Sequence, residues 1–257
     1  MVTQVQPLSL APLGETGLQV AKLSLGTVKF GRDQGVKYPT KVKIPTDRQA
    51  RELLAEASAL GINLLDTAPA YGYSEQRLGA LLDKQRQDWL ICTKVGEEFV
   101  DGASHYDFSA AHCRFSVERS LQRLRTDYLD IVLIHSNGDD LEILNKYGTL
   151  DVLMTLKQAG KIRAVGISHK TIAGAERALQ LGADVIMATL NREHTEDRGL
   201  IAEAARQGCG VLIKKALSSG HGKAEDLAFV AAQPGVHSIV VGTTNPSHLR
   251  ENVALLL

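Results

Sequence analysis

Eight short apolar runs, each followed by a stretch with helical periodicity, limit most sharply what this chain can fold into. The runs are KLSLGT (22–27), NLLDTA (63–68), LICTKV (90–95), YLDIVLIHS (128–136), IRAVGIS (162–168), DVIMATL (184–190), GVLIKKA (210–216) and SIVVGT (238–243). They have strand length and are rich in Val, Ile and Leu, as parallel strands covered on both faces are. Between them, RQARELLAEASALG (48–61) sets Leu53, Leu54, Ala57 and Leu60 on one helical face and stops at Gly61. AAHCRFSVERSLQRLR, TLDVLMTLKQAG, TIAGAERALQLG, RGLIAEAARQG, KAEDLAFVAAQ and NPSHLRENVALLL repeat the pattern, several closing on glycine. Eight such repeats without a linker predict the α/β class and one (β/α)8 TIM barrel domain over 1–257. The rival, a doubly wound open sheet, normally carries a glycine-rich turn after its first strand. LGTVKFGRDQG fits GxGxxG in no register. Ahead of residue 20, LGETGL reads as the turn of a short N-terminal β-hairpin, expected to cap the barrel bottom.

Charge removes several function classes. Lys+Arg and Asp+Glu balance at 29 each, so nothing draws the chain broadly to nucleic acid or an anionic membrane, and a bound anion must be held locally. No run approaches the ~20 apolar residues of a membrane helix. The first residues, MVTQVQPLSLAPLG, lack the charged and apolar regions of a secretory leader. Three cysteines without metal spacing, two of them (Cys92 and Cys209) beside strand patterns, are expected as inert core thiols in a reducing, cytoplasmic setting. A monomer is expected, because a large barrel buries its own core.

Barrel active sites assemble at the C-terminal ends of the strands. There the second, third and fourth runs end in Asp66, Lys94 and His135, and Tyr71 follows the second run. Singly, each has a plainer reading: Asp as a turn former, Lys as a solvated strand end, His as a satisfied core residue. Their convergence on adjacent strands outweighs those readings. A buried carboxylate is tolerable beside a buried ammonium. Free tyrosine has a pKa near 10, and a neighbouring Lys⁺ favours its phenolate. Tyr71 would then protonate a carbonyl oxygen as hydride reaches the carbon, with His135 orienting the carbonyl.

With NLLDTAPAYGYSEQRLG, ICTKVG, TDYLDIVLIH, GKIRAVGIS and VVGTTNPSHLREN, the chain resembles the aldo-keto reductases from about residue 14 onward. The resemblance implies a catalytic tetrad of Asp66, Tyr71, Lys94 and His135, no metal, and reduction of a small-molecule carbonyl with NADP(H) or NAD(H). Tyr73 falls where the family varies and reads as wall or surface. Cofactor contacts are implied for Gly26, Thr27, Asp66, Ser168, His169, Met187, Lys214, Ala216, Leu217 and Ser219. Gly242, Thr243, Thr244 and His248 are assigned to the adenosine phosphate, and Glu251 and Asn252 to adenine. Asn245 is a plausible N-cap with Pro246 at the first helical position, so free N–H groups would face an anion.

The match departs at named positions. Gly242 and His248 stand where many NADP-dependent members carry Lys and Arg, so relaxed cofactor choice is expected. His169 replaces an asparagine and Met187 a glutamine. Lys214 replaces a tyrosine that stacks on nicotinamide. The loop after the seventh run, LSSGHGKA, is short, and an open site with broad carbonyl selectivity is expected. The segments 31–45 and 96–109 are expected to supply walls, with Phe99, Tyr106 and Phe108, while Trp89 belongs to the far end. Two rival functions stand beside this reading: a nicotinamide-bound regulatory subunit, and a lyase using Lys94, Lys214 or Lys215 as a Schiff-base amine.

Overall fold

The structure, a computed structural model, describes residues 5–39 and 41–257. Residues 1–4 of the N-terminal segment and Thr40 of the 31–45 segment lie outside them. Two short strands, β1 (Leu10–Pro12) and β2 (Gln19–Ala21), pair antiparallel before the barrel begins. The chain continues through β3 (Leu23–Gly26), α1 (Asp47–Ala59), β4 (Leu64–Asp66), α2 (Ser74–Leu82) and β5 (Leu90–Val95). A second hairpin, β6 (Glu97–Val100) and β7 (Ala103–Tyr106), precedes α3 (Ala110–Leu124), β8 (Leu129–His135), α4 (Asp140–Asn145), α5 (Thr149–Gln158) and β9 (Ile162–Ser168). The remainder is α6 (Ile172–Gln180), β10 (Val185–Thr189), α7 (Arg198–Arg206), β11 (Gly210–Lys214), α8 (Asp226–Ala231), β12 (Ser238–Val241) and α9 (Pro246–Ala254). Strands β3, β4, β5, β8, β9, β10, β11 and β12 pair in parallel and close the barrel, as the eight apolar runs predict.

Two layers of apolar side chains hold it. Inside the barrel lie Leu64, Cys92, Ile131, Leu133, Ala164, Val185, Met187 and Leu212, together with Leu13 and Leu18 from the first hairpin. The helices cover the outer strand faces; α1 turns Ala50, Leu53, Leu54 and Ala57 inward and is fastened at its start by a capping box of Thr46 and Gln49.

The first hairpin sits at the barrel bottom, as expected. The Glu15 N–H donates to the Gly208 carbonyl at 2.7 Å, and Asn63 Oδ1 accepts from the Ala21 N–H at 3.0 Å. Gly208 and Asn63 both precede strands. Leu13 and Leu18, at 0% and 1% exposure, plug that end, each burial worth about 2 kcal/mol. Buried acids fasten the same end: Asp130 accepts from the Ile91 N–H, Arg86 and Arg163, and Asp184 from the Val165 N–H and Lys157. All three cysteines are free and buried, and burial raises each thiol pKa. Trp89, immediately before β5, is buried at this end in the outer layer. No helix among the described residues is long and apolar enough to cross a membrane.

Candidate active site

The segment after β4 is tied down before it reaches Tyr71. Thr27 donates both its N–H and its hydroxyl to the Asp66 carbonyl at 2.9 Å. Ser74 gives its hydroxyl to the Thr27 carbonyl and accepts from Thr67. Glu75, fully buried, accepts from Thr93 Oγ1 at 2.7 Å and meets Arg123 at 3.2 Å. Gly72 has φ +61°, and a Cβ there would stand 2.1 Å from the Gly31 carbonyl oxygen. Only glycine lets the chain turn this tightly behind Tyr71. The Ser-Glu pair of the motif is therefore structural: it holds the loop that carries the phenol.

Lys94 extends from β5 with 1% exposure, donating to Asp66 Oδ1 at 2.6 Å and to the Thr67 carbonyl at 2.9 Å. Its ammonium lies 4.9 Å from the centre of the Tyr71 ring. His135, from the end of β8, meets that ring edge-on at 6.1 Å between centroids. Burial alone would lower the Lys94 pKa; the Asp66 carboxylate reverses this and leaves it raised. For Tyr71 the balance differs from the expectation. Burial raises its pKa, and Lys94 only partly opposes the rise, so the phenol keeps its proton.

Beyond the tetrad stands a residue the sequence reading missed. Glu97 Oε2 lies 2.8 Å from His135 Nδ1, within ion-pair reach although short of a well-aligned hydrogen bond. Burial would raise the Glu97 pKa, but His135, Ser104 and Arg32 together hold it at about 2. Burial lowers His135 against the pull of Glu97. Arg32 links the two loops, donating to the Ala70 carbonyl at 3.1 Å while its guanidinium covers the Phe99 ring at 3.5 Å.

The tetrad opens on a cavity of about 270 Å³ that continues past Met187 and Lys214 to Gly220 and Gly242. The profile of the Aldo/keto reductase family matches residues 22–226, which include the four residues and the strands that place them. The chain belongs to this family. A Pseudomonas aeruginosa protein assigned as an aldo-keto reductase superposes with a TM-score of 0.90 at 51% identity, over 98% of this chain and 96% of that one. L-galactose dehydrogenase of Arabidopsis thaliana is 36% identical over 168 residues, 63% of this chain and 48% of that protein. NADH-specific methylglyoxal reductase of Escherichia coli is 32% identical over 191 residues, 69% of this chain and 57% of that protein. The chain spans about half the length of the first curated relatives it matches.

For an aldo/keto reductase the cavity gathers most of the residues singled out in the sequence. Gly26, Asp66, Tyr71, Lys94, His135, Ser168, Met187, Lys214, Ala216, Leu217, Ser219 and Gly242 all line it. His169 lines an adjoining cavity that shares His135, Ser168, Lys214, Lys215 and Ser219 with the first. Thr27 lines neither, its hydroxyl being spent on Asp66 and Ser74. Thr243, Thr244, His248, Glu251 and Asn252 also lie outside both cavities. Thr243 Oγ1 accepts the Asn245 N–H, and Asn245 Oδ1 caps α9 through the Ser247 N–H, with Pro246 first in the helix. His248 and Glu251 are exposed, and Asn252 is buried.

The expected aromatic walls require correction. Phe99 is covered by Arg32, and Tyr106 and Phe108 stack with each other over a separate cleft shared with Asn137 and Tyr147. The segment 96–109 forms a hairpin that twists these rings away from the cavity. Its role is taken by Tyr38 of the segment 31–45, whose hydroxyl reaches Gly242 and whose ring packs beside Gly220, with Lys29 4.1 Å from its centre. Tyr73 is 71% exposed and stands outside the cavity.

The residues present fit a nicotinamide cofactor. His169 is 2% exposed, yet neither ring nitrogen makes a hydrogen bond, Nε2 standing 3.7 Å from Asp197 Oδ2. Burial and the nearby Lys214 charge hold its pKa near 4. A neutral imidazole offers one donor and one acceptor, the reciprocal of what a carboxamide presents. A side chain at Gly242 would meet the Tyr38 hydroxyl at 3.1 Å, so glycine keeps this end of the groove open.

Proposed function

We propose that the protein is an NAD(P)H-dependent oxidoreductase that reduces small aldehydes and ketones to alcohols, reversibly, with Tyr71 as proton donor. The observation that carries this reading is the buried Lys94–Asp66 pair at 2.6 Å set against the Tyr71 ring, with His135 across it, in one cavity. A bound nicotinamide cofactor supplies the hydride; Ser168, His169, Met187, Lys214 and Gly242 are the residues that would hold it.

The chain itself handles the proton. Tyr71 retains its hydrogen in the resting cavity, because burial makes a phenolate costly there. A carbonyl oxygen that is gaining negative charge draws that hydrogen, and Lys94 stabilises the phenolate left behind. Asp66 keeps Lys94 charged and in place. Glu97 faces His135 Nδ1 and favours the ring proton there, which leaves Nε2 as an acceptor for the hydroxyl of the alcohol.

Both cofactors are expected to serve. Among residues 242–252 the only cationic side chain is Arg250, and it is committed to Glu56 at 2.6 and 2.7 Å. That leaves His248 and the first turn of α9 for a 2′-phosphate. The methylglyoxal reductase to which the chain is similar is NADH-specific by name, in keeping with this reading and with α-dicarbonyl substrates.

The test is NADPH and NADH oxidation with a panel of small aldehydes and α-dicarbonyls, wild type beside Tyr71→Phe. Turnover should fall by about a hundredfold or more in the variant, the scale of a lost acid catalyst, while cofactor affinity stays within a few-fold. Undiminished turnover in Tyr71→Phe would refute the assignment of the acid. A wild type that binds cofactor and turns over nothing would favour a regulatory role.

A further inference from the structure

Lys214 occupies the centre of the barrel mouth, at the end of β11, where the catalytic cavity meets the adjoining one. Its ammonium donates to Ser168 Oγ at 2.8 Å and to the His169 carbonyl at 2.6 Å, both uncharged groups. No carboxylate among the described residues lies within ion-pair distance of it, whereas Lys94 is matched by Asp66 at 2.6 Å. Lys94 is thus balanced by a carboxylate and Lys214 is not; of the other two lysines in the cavity wall, Lys29 lies over the Tyr38 ring and Lys215 follows Lys214 in the chain.

A ligand ring whose reactive carbon faces Tyr71 and His135, and whose remainder runs toward Gly220 and Gly242, would lie in the cavity that Lys214 also lines. The two redox states of nicotinamide differ in charge there: the reduced ring is neutral and the oxidised ring is a cation. We propose that Lys214 sets the redox-state selectivity of this site, its unbalanced charge repelling the oxidised cofactor and tolerating the reduced one. An aromatic side chain at the same position would act in the opposite sense, since a π face attracts a cation. The inference rests on the nicotinamide reading above. Its consequence is that spent cofactor leaves readily and the forward reduction is favoured.

The effect depends on pH through known neighbours. Lys214 is faced by Lys215 on its own loop, Lys94 on β5, His135 on β8, His169 after β9, Asp140 on α4 and Asp197 after β10, with Asp66, Tyr71, Lys29 and Tyr38 elsewhere in the cavity wall. Burial, with Lys215 and Lys94, lowers the Lys214 pKa to about 7. Its charge is present below that value and lost above it. His169, held near 4, stays neutral across this range, and Lys94 stays charged. Burial also lowers Lys215, so a variant that removes Lys214 alone is needed beside any pH series.

Calorimetric Kd values for NADPH and NADP⁺, with the full chain at about pH 6 and about pH 8.5, test this in wild type and in Lys214→Gln. Taking the ratio Kd(NADP⁺)/Kd(NADPH) cancels every group that does not face the ring. In wild type the ratio should fall on the order of tenfold or more between the two pH values, the scale of one like-charge contact in a partly buried site. In Lys214→Gln it should be low and flat. Equal ratios in both proteins at both pH values, with both cofactors bound, would overturn the inference and leave the site reading intact. Failure of wild type to bind either form would remove the site reading and this inference together. If Lys214→Gln does not fold, Lys214→Arg takes its place: it keeps the charge at both pH values, so its ratio should stay high and flat, and a ratio that falls with pH as in wild type would overturn the inference.

Discussion

Replacing Glu97 by glutamine removes one carboxylate and keeps its shape. The side chain is 10% exposed, with Oε2 2.8 Å from His135 Nδ1, Oε1 accepting from Ser104 Oγ at 2.6 Å and facing Arg32 at 3.8 Å. These groups hold its pKa at about 2, against an ordinary glutamate value of 4.5. At about 1.4 kcal/mol per pKa unit this is roughly 3 kcal/mol of preference for the charged form in the folded state. Part of that belongs to His135, with which it is coupled, so about 2 kcal/mol is the working figure. The folded pKa is depressed, so the stabilisation is full above the unfolded value, near 4.5, and is lost as pH falls toward 2. Glu97→Gln should therefore be less stable than wild type by about 2 kcal/mol at pH 7, the gap narrowing to about 1 kcal/mol near pH 3.5. Urea unfolding followed by far-UV circular dichroism at the two pH values measures it, with m unchanged. A gap that is absent, or equal at both pH values, would show that the carboxylate is not held as described.

Two further predictions concern the ion pair and the adenosine end. Lys94→Met leaves Asp66, 4% exposed, without its partner and should cost about 3–5 kcal/mol in urea unfolding. Adding Asp66→Asn should recover much of that loss; a double variant no better than the single one would argue against the pairing. His248→Arg puts a guanidinium on the exposed first turn of α9 and should raise the NADPH over NADH preference in kcat/KM about tenfold. An unchanged ratio would place the 2′-phosphate elsewhere.

The eight strands and the meeting of Asp66, Tyr71, Lys94 and His135 were legible because each rests on local pattern: apolar runs of strand length, and reactive residue types at or just after their C-terminal ends. What stayed hidden depends on distance in space. The hairpin β6–β7 carries a local signal, Asp101-Gly102 between two four-residue strands, with φ +50° and +80° at the turn. Its consequence, Glu97 against His135, follows from how the hairpin folds over the mouth. Tyr38 lies in a segment with no periodicity, and only its approach to Gly220 and Gly242 reveals it as a wall. Thr27 misled for the opposite reason. Its place in the motif is explained by bonds to Asp66 and Ser74, not by contact with the cavity. The phenol of Tyr71 was read from its charged neighbour alone, whereas the cavity's low polarity outweighs that neighbour.

The barrel keeps its two acid-and-base systems at opposite ends. Asp130 with Arg86 and Arg163, and Asp184 with Lys157, stitch the strands together below, while Asp66 with Lys94 works above. Nothing in the lower set touches the cavity, and the hairpin, Tyr38 and the short loop after β11 are all grafted onto the upper rim. Descendants of such a chain can exchange rim segments, and with them substrate range, while the stitched base goes on specifying the same scaffold. The converse also holds: a chain that lost only the upper tyrosine would remain a well-made barrel, and its lower acids would give no sign of the change.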